Sequence, residues 1–396
     1  MSPPVITGVA ALTSAGVRAG DLVAAIESDA SPPVDGMIPD FEPKRFVRPR
    51  KAIKVMCREI QTAFAASVEA LADAGLEDLA EPDREAAVDR SRVATVFGAE
   101  MFYGPGEMAD ALAAAGEDPG MPVSAAAFGP KAMKKISPLW LLKYLPNMPA
   151  CHIGIALGAT GPNNTQTVGE VSGPAALGEA MGYLSRGIVD AAVVTATGNR
   201  NDETRRTYRC DLPLRGSLRA FDFDDGVIDP SAGVVGAEAA AGLIVESAAS
   251  ADRRGATPIA SVLSHVGRFV PSESMRAGVR DGRLHPRYAR GSTAAVRAAA
   301  GAALDAAGVE AGSLSGVVGG RCGDPSQDAA ETAWTSTLPG SVRVFSPLLN
   351  VGHGGSACGG VALVTAAEMV RRGGGIWLVL SHTAEGSATA TVLGGQ

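Results

Sequence analysis

The sequence lacks long hydrophobic runs, paired cysteines and a basic leader. No apolar stretch reaches the roughly 18 residues that a bilayer span requires, and the N-terminal segment shows no basic part followed by an apolar one. We therefore expect neither a membrane span nor a secretory signal peptide. The five cysteines are odd in number and none has C-x-x-C spacing, which argues against a disulfide framework and a structural zinc site. This pattern predicts a cytoplasmic protein with no bound metal.

An excess of positive charge is also missing. Asp and Glu number 42 against 35 Lys and Arg, a formal net charge of −7. This balance disfavours nucleic acid and anionic membranes as main partners. The chain has 396 residues, 46% of them hydrophobic, and 49 glycines. We expect a tightly turned globular protein with a large core, built as two halves.

Helical and strand patterns alternate along the chain. Helical spacing of apolar residues predicts a helix from Ile53 to Ala74, ended by Gly75. Ser292 or Thr293 caps a predicted helix that runs to Ala307. Residues 31–49 read as a surface loop, and 99–142 give only short helices. The apolar runs that predict strands are residues 5–12, 92–98, 190–197, 239–246, 314–319 and 376–381. Such alternation indicates an α/β architecture with buried sheets.

One unit occurs twice, in distant parts of the chain. A small-residue helix after Gly173 is broken at Gly187 and followed by an apolar strand. A second helix, which opens near Ser356, is broken at Gly373 and followed by another such strand. The repetition predicts an internally duplicated fold, with an N-terminal half over residues 1–250 and a C-terminal half over 251–396.

The stretch from Gly161 to Gly173 has the pattern of a tight turn that enters a helix. At such a turn, α/β enzymes often present a nucleophile to free backbone N–H groups at the positive end of the helix dipole. The residue at this turn is Glu170 rather than cysteine or serine.

Several segments together resemble the β-ketoacyl synthase branch of the thiolase family. They include the opening Val5-Ile6-Thr7-Gly8, the helix end at 72–76, Asn147-Met148-Pro149-Ala150, Gly161-Pro162 with Ser172-Gly173, the R-x-F-D at 219–222, and Gly352-His353. They occur in the family's order over nearly the whole chain. The resemblance implies a thiolase-like five-layer αβαβα fold of two similar halves, normally dimeric, with no cofactor.

The family's condensing enzymes use one cysteine, two histidines and a lysine. By the same resemblance, Glu170 stands at the cysteine position, Gly320 at the first histidine and Leu348 at the lysine, while His353 keeps the second histidine. Because a carboxylate cannot readily replace a thiolate in thioester exchange, and loss of several cooperating groups removes most of the rate, condensation by this chain alone is not expected.

Within the family, the chain is most similar to the chain-length factors of type II polyketide synthases. This similarity implies a catalytically deficient subunit that pairs with an active ketosynthase, meets an acyl carrier protein and shapes the acyl tunnel. Bulky residues near the family's tunnel segments are Met101, Phe102, Tyr103 and Trp140. The alternatives are a stand-alone enzyme that uses Glu170 and His353 for malonyl decarboxylation or acyl transfer, and a non-catalytic homodimeric scaffold.

Other residues leave two interpretations open. Glu170 is either an anion that pairs with His353 or a remnant whose charge suits the helix dipole. Cys358 and Cys322 lie near the family's active-site loops and are interpreted as a packing residue and a bystander thiol. The basic run from Lys44 to Arg58 is either a carrier-protein docking surface or a solvated face. The apolar stretch 137–145 fits a subunit interface, or ordinary core.

Overall fold

A computed structural model describes residues 2–81, 86–100, 106–116, 124–201, 233–273, 275–276 and 291–395. Its ten strands form a continuous sheet in the order β3-β2-β4-β5-β1-β6-β10-β9-β7-β8. The strands are β1 Val5–Leu12, β2 Val93–Gly98, β3 Asn163–Gln166, β4 Ala191–Asn199, β5 Glu238–Glu246, β6 Ala260–Phe269, β7 Gly316–Val318, β8 Arg343–Phe345, β9 Ile376–His382 and β10 Ser387–Gly394.

The α-helices of the described residues lie on and between the two parts of this sheet. They are α1 Ala19–Glu27, α2 Arg58–Asp73, α3 Gly106–Ala115, α4 Ala125–Lys131, α5 Leu141–Tyr144, α6 Met148–Leu157, α7 Ser172–Ser185, α8 Ala248–Arg253, α9 Thr293–Ala307, α10 Pro325–Thr335, α11 Leu348–Val351 and α12 Cys358–Gly373. No described helix is both long enough and apolar enough to cross a membrane.

The strand order repeats between the two ends of the sheet. Strands β1 to β5 are arranged as 3-2-4-5-1, and β6 to β10 repeat that arrangement as 8-7-9-10-6. The two arrays meet where β1 pairs antiparallel with β6 over Val5–Ser261 and Ile6–Ala260. This repetition confirms the two similar halves of the predicted fold. The division at residue 250 stays a prediction.

Helices α7 and α12 form the central layer. Both pack against strands of each array, whereas α2 covers β1, β4 and β5 on one outer side and α9 covers β6 and β10 on the other. Alternate residues of β9 show these layers: Trp377 and Val379 join the central core, and Leu378 and Leu380 join the outer core beneath α9. The arrangement is therefore five layers, α/β/α/β/α, as the period of two along a strand requires.

Several predicted elements are confirmed, with shifted ends. The strand at residues 5–12 and the Ser292 cap, whose hydroxyl accepts from the Ala295 N–H, are as predicted. The predicted helix start at Ile53 is wrong. Residues 50–55 form a 3-10 helix, and the chain is extended at Met56 and Cys57 before α2 begins. That extension buries Met56, so tertiary packing overrides the apolar spacing.

Strand β3 was missed because it carries no apolar pattern. Its sequence is Asn-Asn-Thr-Gln, and it pairs in parallel with β2 at the end of the sheet. Side chains of an edge strand need not be buried. In the stretch 137–145, the structure does not bear out the ordinary-core alternative, and the interface alternative stays a prediction. Leu139 and Leu141 are about half exposed, while Trp140 packs on a small core with Phe128.

Candidate functional site

The turn before α7 buries a carboxylate. Glu170 lies in a 3-10 turn, Gly169–Val171, and is only 8% exposed. The Ser172 hydroxyl fixes this turn, because it accepts from the Val168 N–H at 2.9 Å and donates to the Gly169 carbonyl at 2.6 Å. A buried carboxylate is costly unless cations or donors surround it. Its neighbours therefore decide what the site can do.

His353 faces Glu170 from the opposite half of the chain. Its backbone is held between Val235 and Ala237: the His353 N–H donates to the Val235 carbonyl at 2.8 Å, and the Ala237 N–H donates to the His353 carbonyl at 3.0 Å. The imidazole Nε2 lies 3.4 Å from Oε1 of Glu170. The Gly355 N–H approaches Nδ1 at 3.2 Å. The ring is therefore fixed on both sides.

A fully buried arginine completes the surroundings of Glu170. Arg200 follows β4, and its Nη2 lies 3.5 Å from the same Oε1 of Glu170. The same Nη2 lies 3.6 Å from Oε2 of Glu100, which follows β2. Gly355 permits this approach, since a β-carbon there would lie 2.6 Å from Glu100 Oε1 and 2.9 Å from Arg200 Nε. Its φ of +62° also favours glycine.

The four charged groups nearly balance. Burial alone lowers the pKa of His353, but the Cys358 thiol and the Glu170 carboxylate beside it raise that pKa to about 10. Two carboxylates, one guanidinium and one imidazolium then sum to zero charge. The site needs no further ion to neutralise it.

Two free thiols lie beside this network. Cys358 is the first residue of α12. It also packs with Val234, Cys322 and Leu348 in a small apolar cluster. Both thiols are buried and free. Burial, and then Asp328, raise the pKa of the Cys322 thiol. The predicted packing role of Cys358 agrees with its place in this cluster.

The structure brings two of the four predicted positions, Glu170 and His353, into contact. Glu170 and His353 touch, and Leu348 is one step away because it packs in the cluster that contains Cys358. Gly320 lies beyond β7, where its N–H donates to Oε2 of Glu331 at 2.7 Å. A β-carbon at Gly320 would meet only ordinary contacts, the nearest at 3.7 Å.

Of the predicted tunnel residues, only Trp140 lies within the described part of the chain. It is half-buried, and its ring is tilted against Tyr144 with centroids 6.2 Å apart. Met101, Phe102 and Tyr103 lie outside the described residues, as does the R-x-F-D segment at 219–222. Among the residues that the structure describes, no cluster of three or more His, Cys, Asp or Glu could hold a metal ion.

Arg200 and Glu100 were missed by the sequence analysis. Arg200 directly follows β4 and Glu100 lies two residues after β2, and both strands are almost wholly buried. These strands are parallel neighbours, so their carboxyl ends meet at one edge. Charged residues immediately after two adjacent buried strands were therefore a usable signal. Their opposite signs would have suggested a pair.

Comparison with known proteins assigns this chain to a family. The family profile "Beta-ketoacyl synthase, N-terminal domain" matches residues 5–251. A curated relative, 3-oxoacyl-[acyl-carrier-protein] synthase 2 of Staphylococcus aureus, is 27% identical over 177 residues. That match covers 40% of this chain and 42% of the relative, so the chain spans well under half the length of that protein.

Solved structures with the same fold cover the chain from end to end. The ishigamide ketosynthase/chain length factor has a TM-score of 0.71 at 22% identity, with 99% of each chain covered. A type II polyketide acyl-carrier protein complex with its ketosynthase, bound to the hexaketide, gives 0.69 at 14% identity, with each chain fully covered. A β-ketoacyl synthase from Burkholderia phymatum STM815 gives 0.71 at 18%, again with full coverage of both.

The profile match extends over more than half of the chain, and the neighbours share its five-layer architecture. The protein belongs to the β-ketoacyl synthase family and has the thiolase-like fold.

Proposed function

We propose that this protein is a chain-length factor: a subunit that does not condense acyl units by itself, pairs with an active ketosynthase and limits the length of a polyketide or polyene chain. The ishigamide neighbour is described as a ketosynthase/chain length factor. The chain shares its fold with condensing enzymes and differs from them at the residues of the site.

The observation that carries the proposal is the state of Glu170. Thioester exchange needs a soft nucleophile that is also a good leaving group, which a thiolate is and a carboxylate is not. Both Arg200 and His353 approach Oε1 of Glu170. Two cations on one oxygen lower its electron density and hold it in place. Such a carboxylate is a poor nucleophile even for anhydride formation.

The other replaced positions point the same way. Gly320 offers no side chain, and Leu348 is 3% exposed in an apolar cluster. A leucine there can neither donate a proton nor bind a developing oxyanion. Of the four groups that the resemblance assigns to condensation, only His353 remains, and Glu170 already occupies its Nε2 side.

The proposed partner surface is the outer edge of β3 with the adjoining helices. Strand β3 ends the sheet, so one side of its backbone is open among the described residues. Beside it, Ile155 on α6 is 77% exposed. Leu139 and Leu141 add exposed apolar area near α5. Open strand edges and exposed apolar side chains are features that subunit contacts cover.

A basic surface fits the proposed carrier protein. Lys44, Arg45, Arg48, Arg50 and Lys51 are all exposed, on and beside the two 3-10 turns before α2. In a chain with net charge −7, such a concentration favours encounter with an acidic partner. A reducing cytoplasm is the proposed location, in line with the free thiols of the described cysteines.

Co-expression with the ketosynthase encoded nearest its gene tests the proposal. We expect a one-to-one complex by light scattering, with product formed only when both chains are present. Ile155→Asp should weaken the complex, whereas the matched change at the equally exposed Val34, Val34→Asp, should not. Trp140→Ala should shift the product to longer chains by mass spectrometry. Condensation product from the lone chain would refute the proposal.

The contact between His353 and Glu170 also favours a second candidate function, malonyl decarboxylation. An imidazolium beside the thioester carbonyl would stabilise the enolate that forms as CO2 leaves. Release of CO2 from malonyl-carrier protein by the lone chain, abolished by Glu170→Ala or His353→Gln, would establish it. The chain-length factor predicts no release above the buffer rate.

A further inference from the structure

A short segment beside the proposed partner surface combines positive charge with exposed apolar side chains. It covers residues 131–145, from the last residue of α4 through α5, and we call it the Lys–Leu segment. Its exposed apolar side chains are Met133, Leu139, Leu141 and Leu145. Its exposed cations are Lys131, Lys134 and Lys135. Apolar side chains rimmed by charge are typical of a surface that another protein covers.

The charge of this region has one sign. No Asp or Glu occurs from residue 119 to residue 169, a stretch that includes α5, α6 and the edge strand β3. Among the described residues, none of the three exposed lysines forms an ion pair, and Asp110 on the neighbouring helix α3 is no exception. In a chain with a net charge of −7, this local excess of cations leaves positive charge for an outside partner.

The carboxylate beside β3 is already occupied. Glu179 on α7 accepts from Asn164 Nδ2 at 2.9 Å on each of its two oxygens. The Gln166 Nε2 donates to one of these oxygens and the Tyr183 hydroxyl to the other, each at 2.5 Å. Two such contacts on each oxygen use the accepting capacity of a carboxylate. Glu179 therefore has little left to offer a lysine of a second chain.

The Lys–Leu segment is continuous with the β3 edge. Trp140 packs on the small core that contains Ala132 and Ile136, and its ring centroid lies 6.2 Å from that of Tyr144. Tyr144 ends α5, which packs on α6, and α6 packs on β3. A partner that covers the β3 edge and the exposed Ile155 of α6 is therefore placed to meet the lysines as well.

Symmetry decides which partner this surface accepts. Two identical chains pair most often about a twofold axis, which brings the same patch to both sides of the interface. The lysines of one copy would then face lysines or apolar side chains of the other. Like charges brought together in an interface oppose binding strongly. We propose that the Lys–Leu segment excludes a second copy of this chain and selects a partner whose facing surface carries Asp or Glu around an apolar centre. The proposal rests on the proposed pairing with a ketosynthase and names the chemistry of that partner's surface.

Salt acts in opposite directions on the two kinds of pair. The Debye length falls from about 10 Å at low salt, about 0.1 M, to about 3 Å at high salt, about 1 M. Screening removes the repulsion between lysines, so self-association of the chain should strengthen. A pair with an acidic surface is held by attraction, so the same screening should weaken it. The sign of the salt effect therefore distinguishes the two.

Sedimentation velocity of the purified full chain tests the proposal without a ketosynthase. We expect the parent to be monomeric at low salt and to self-associate at high salt. The variant Lys131→Glu/Lys134→Glu/Lys135→Glu should form a one-to-one pair with the parent at low salt, and this pair should weaken by roughly tenfold at high salt. Replacing the same three lysines with glutamine removes the repulsion without adding attraction. That variant should self-associate at low salt about as tightly as the parent does at high salt.

A control variant separates position from net charge. Lys44→Glu/Arg50→Glu/Lys51→Glu makes the same change in charge at exposed positions outside the Lys–Leu segment, and it should not pair with the parent. Thermal melting confirms that each variant is folded. A parent dimer at low salt that the glutamine variant leaves unchanged would overturn the proposal, as would a glutamate variant that pairs with the parent no better than the control does. Failure of the ketosynthase complex to form, with these results intact, would count against the proposed ketosynthase pairing and leave the exclusion of a second copy standing.

Discussion

Two buried glutamates, Glu170 and Glu331, each pair with one histidine and one arginine but differ in what else surrounds them. Glu170 lies 3.4 Å from His353 and 3.5 Å from Arg200. Glu331, on α10, lies 3.5 Å from His382 and 3.5 Å from Arg321. Each carboxylate thus faces one imidazole and one guanidinium at nearly equal distances.

The surroundings differ in two respects. Glu331 also accepts the Gly320 N–H at 2.7 Å, and its arginine is 28% exposed at the side chain. Arg200 is completely buried and is shared between Glu170 and a second carboxylate, Glu100. The Glu331 carboxylate is therefore anchored by a backbone donor, and within its cluster only Arg321 reaches water. In the Glu170 cluster, one buried guanidinium is shared by two carboxylates.

The two glutamates also lie in different layers of the fold. Glu331 lies on the outer side of the second array, because a β-carbon at Gly319 would overlap its carboxyl group and Val317 on that face belongs to the outer core. Glu170 lies at the head of α7 in the central layer. An anchored carboxylate in an outer layer joins a helix to a sheet. A carboxylate held by side chains in the central layer can respond to what approaches His353.

Replacing Arg200 and Arg321 should give the largest difference in stability between the two clusters. Arg200→Met leaves Glu100 and Glu170 buried without their shared cation, and we expect a loss of about 3–5 kcal/mol in the free energy of unfolding. Arg321→Met leaves Glu331 with a backbone donor and His382, so the expected loss is about 1 kcal/mol. Urea unfolding followed by circular dichroism measures both.

The double variant Arg200→Met/Glu100→Gln provides the control. It removes one of the two anions, so it should recover part of the stability lost in Arg200→Met. Equal losses for the two arginine variants would show that the clusters are energetically alike. No recovery in the double variant would show that Arg200 acts through packing rather than charge.

The pH dependence of stability should separate His353 from ordinary histidines. Its folded pKa, about 10, is above the unfolded value near 6.5. The folded state then holds a proton that the unfolded state has lost, so stability is fully present below about pH 6.5 and declines by up to about 1.4 kcal/mol per pH unit towards pH 10. Comparing parent and His353→Gln from pH 6 to 9 isolates this contribution.

Glu170→Gln should flatten the same decline, because a neutral amide no longer favours the imidazolium. His265 gives the opposite sign. Burial lowers its pKa to about 4, so its contribution is present above about pH 6.5 and is lost as the pH falls towards 4. A parent and His353→Gln with parallel pH profiles would show that the His353 ring is neutral in the folded protein.

Much of the architecture could be predicted from the sequence, because buried strands and glycine-terminated helices have local patterns. The repeated unit around Gly187 and Gly373 indicated the two similar halves. Polar β3 could not be predicted, because its assignment depends on pairing with β2 rather than on its own residues. The start of α2 was wrong for a related reason, since the burial of Met56 is a tertiary effect.

From the sequence alone, only the site residues that align with a family segment could be predicted. Glu170 and His353 were named from segments of the resemblance, and they do meet. Arg200 and Glu100 were not, because a charged residue after a strand carries no sign of its partner until the strands are ordered. Cys358 was interpreted as a packing residue, and it packs with Val234, Cys322 and Leu348.

Substitutions at two adjacent glycines, Gly319 and Gly320, are expected to change stability least. They test whether contact with the Glu331 carboxylate makes a side chain at 319 costly. Neither Gly319 nor Gly320 is among the residues with positive φ, so alanine is allowed by the backbone at both. A β-carbon at Gly319 would overlap the Glu331 carboxyl group, whereas one at Gly320 would have its nearest neighbour at 3.7 Å. We expect Gly319→Ala to lower the free energy of unfolding by about 1–3 kcal/mol and Gly320→Ala to change it by less than about 0.5 kcal/mol.

Urea unfolding of both variants, with Gly319→Ala/Glu331→Ala as a third, measures the contrast. Removal of the Glu331 carboxyl group should make the alanine at 319 nearly neutral, and equal costs at 319 and 320 would show that the carboxylate does not define the outer cluster.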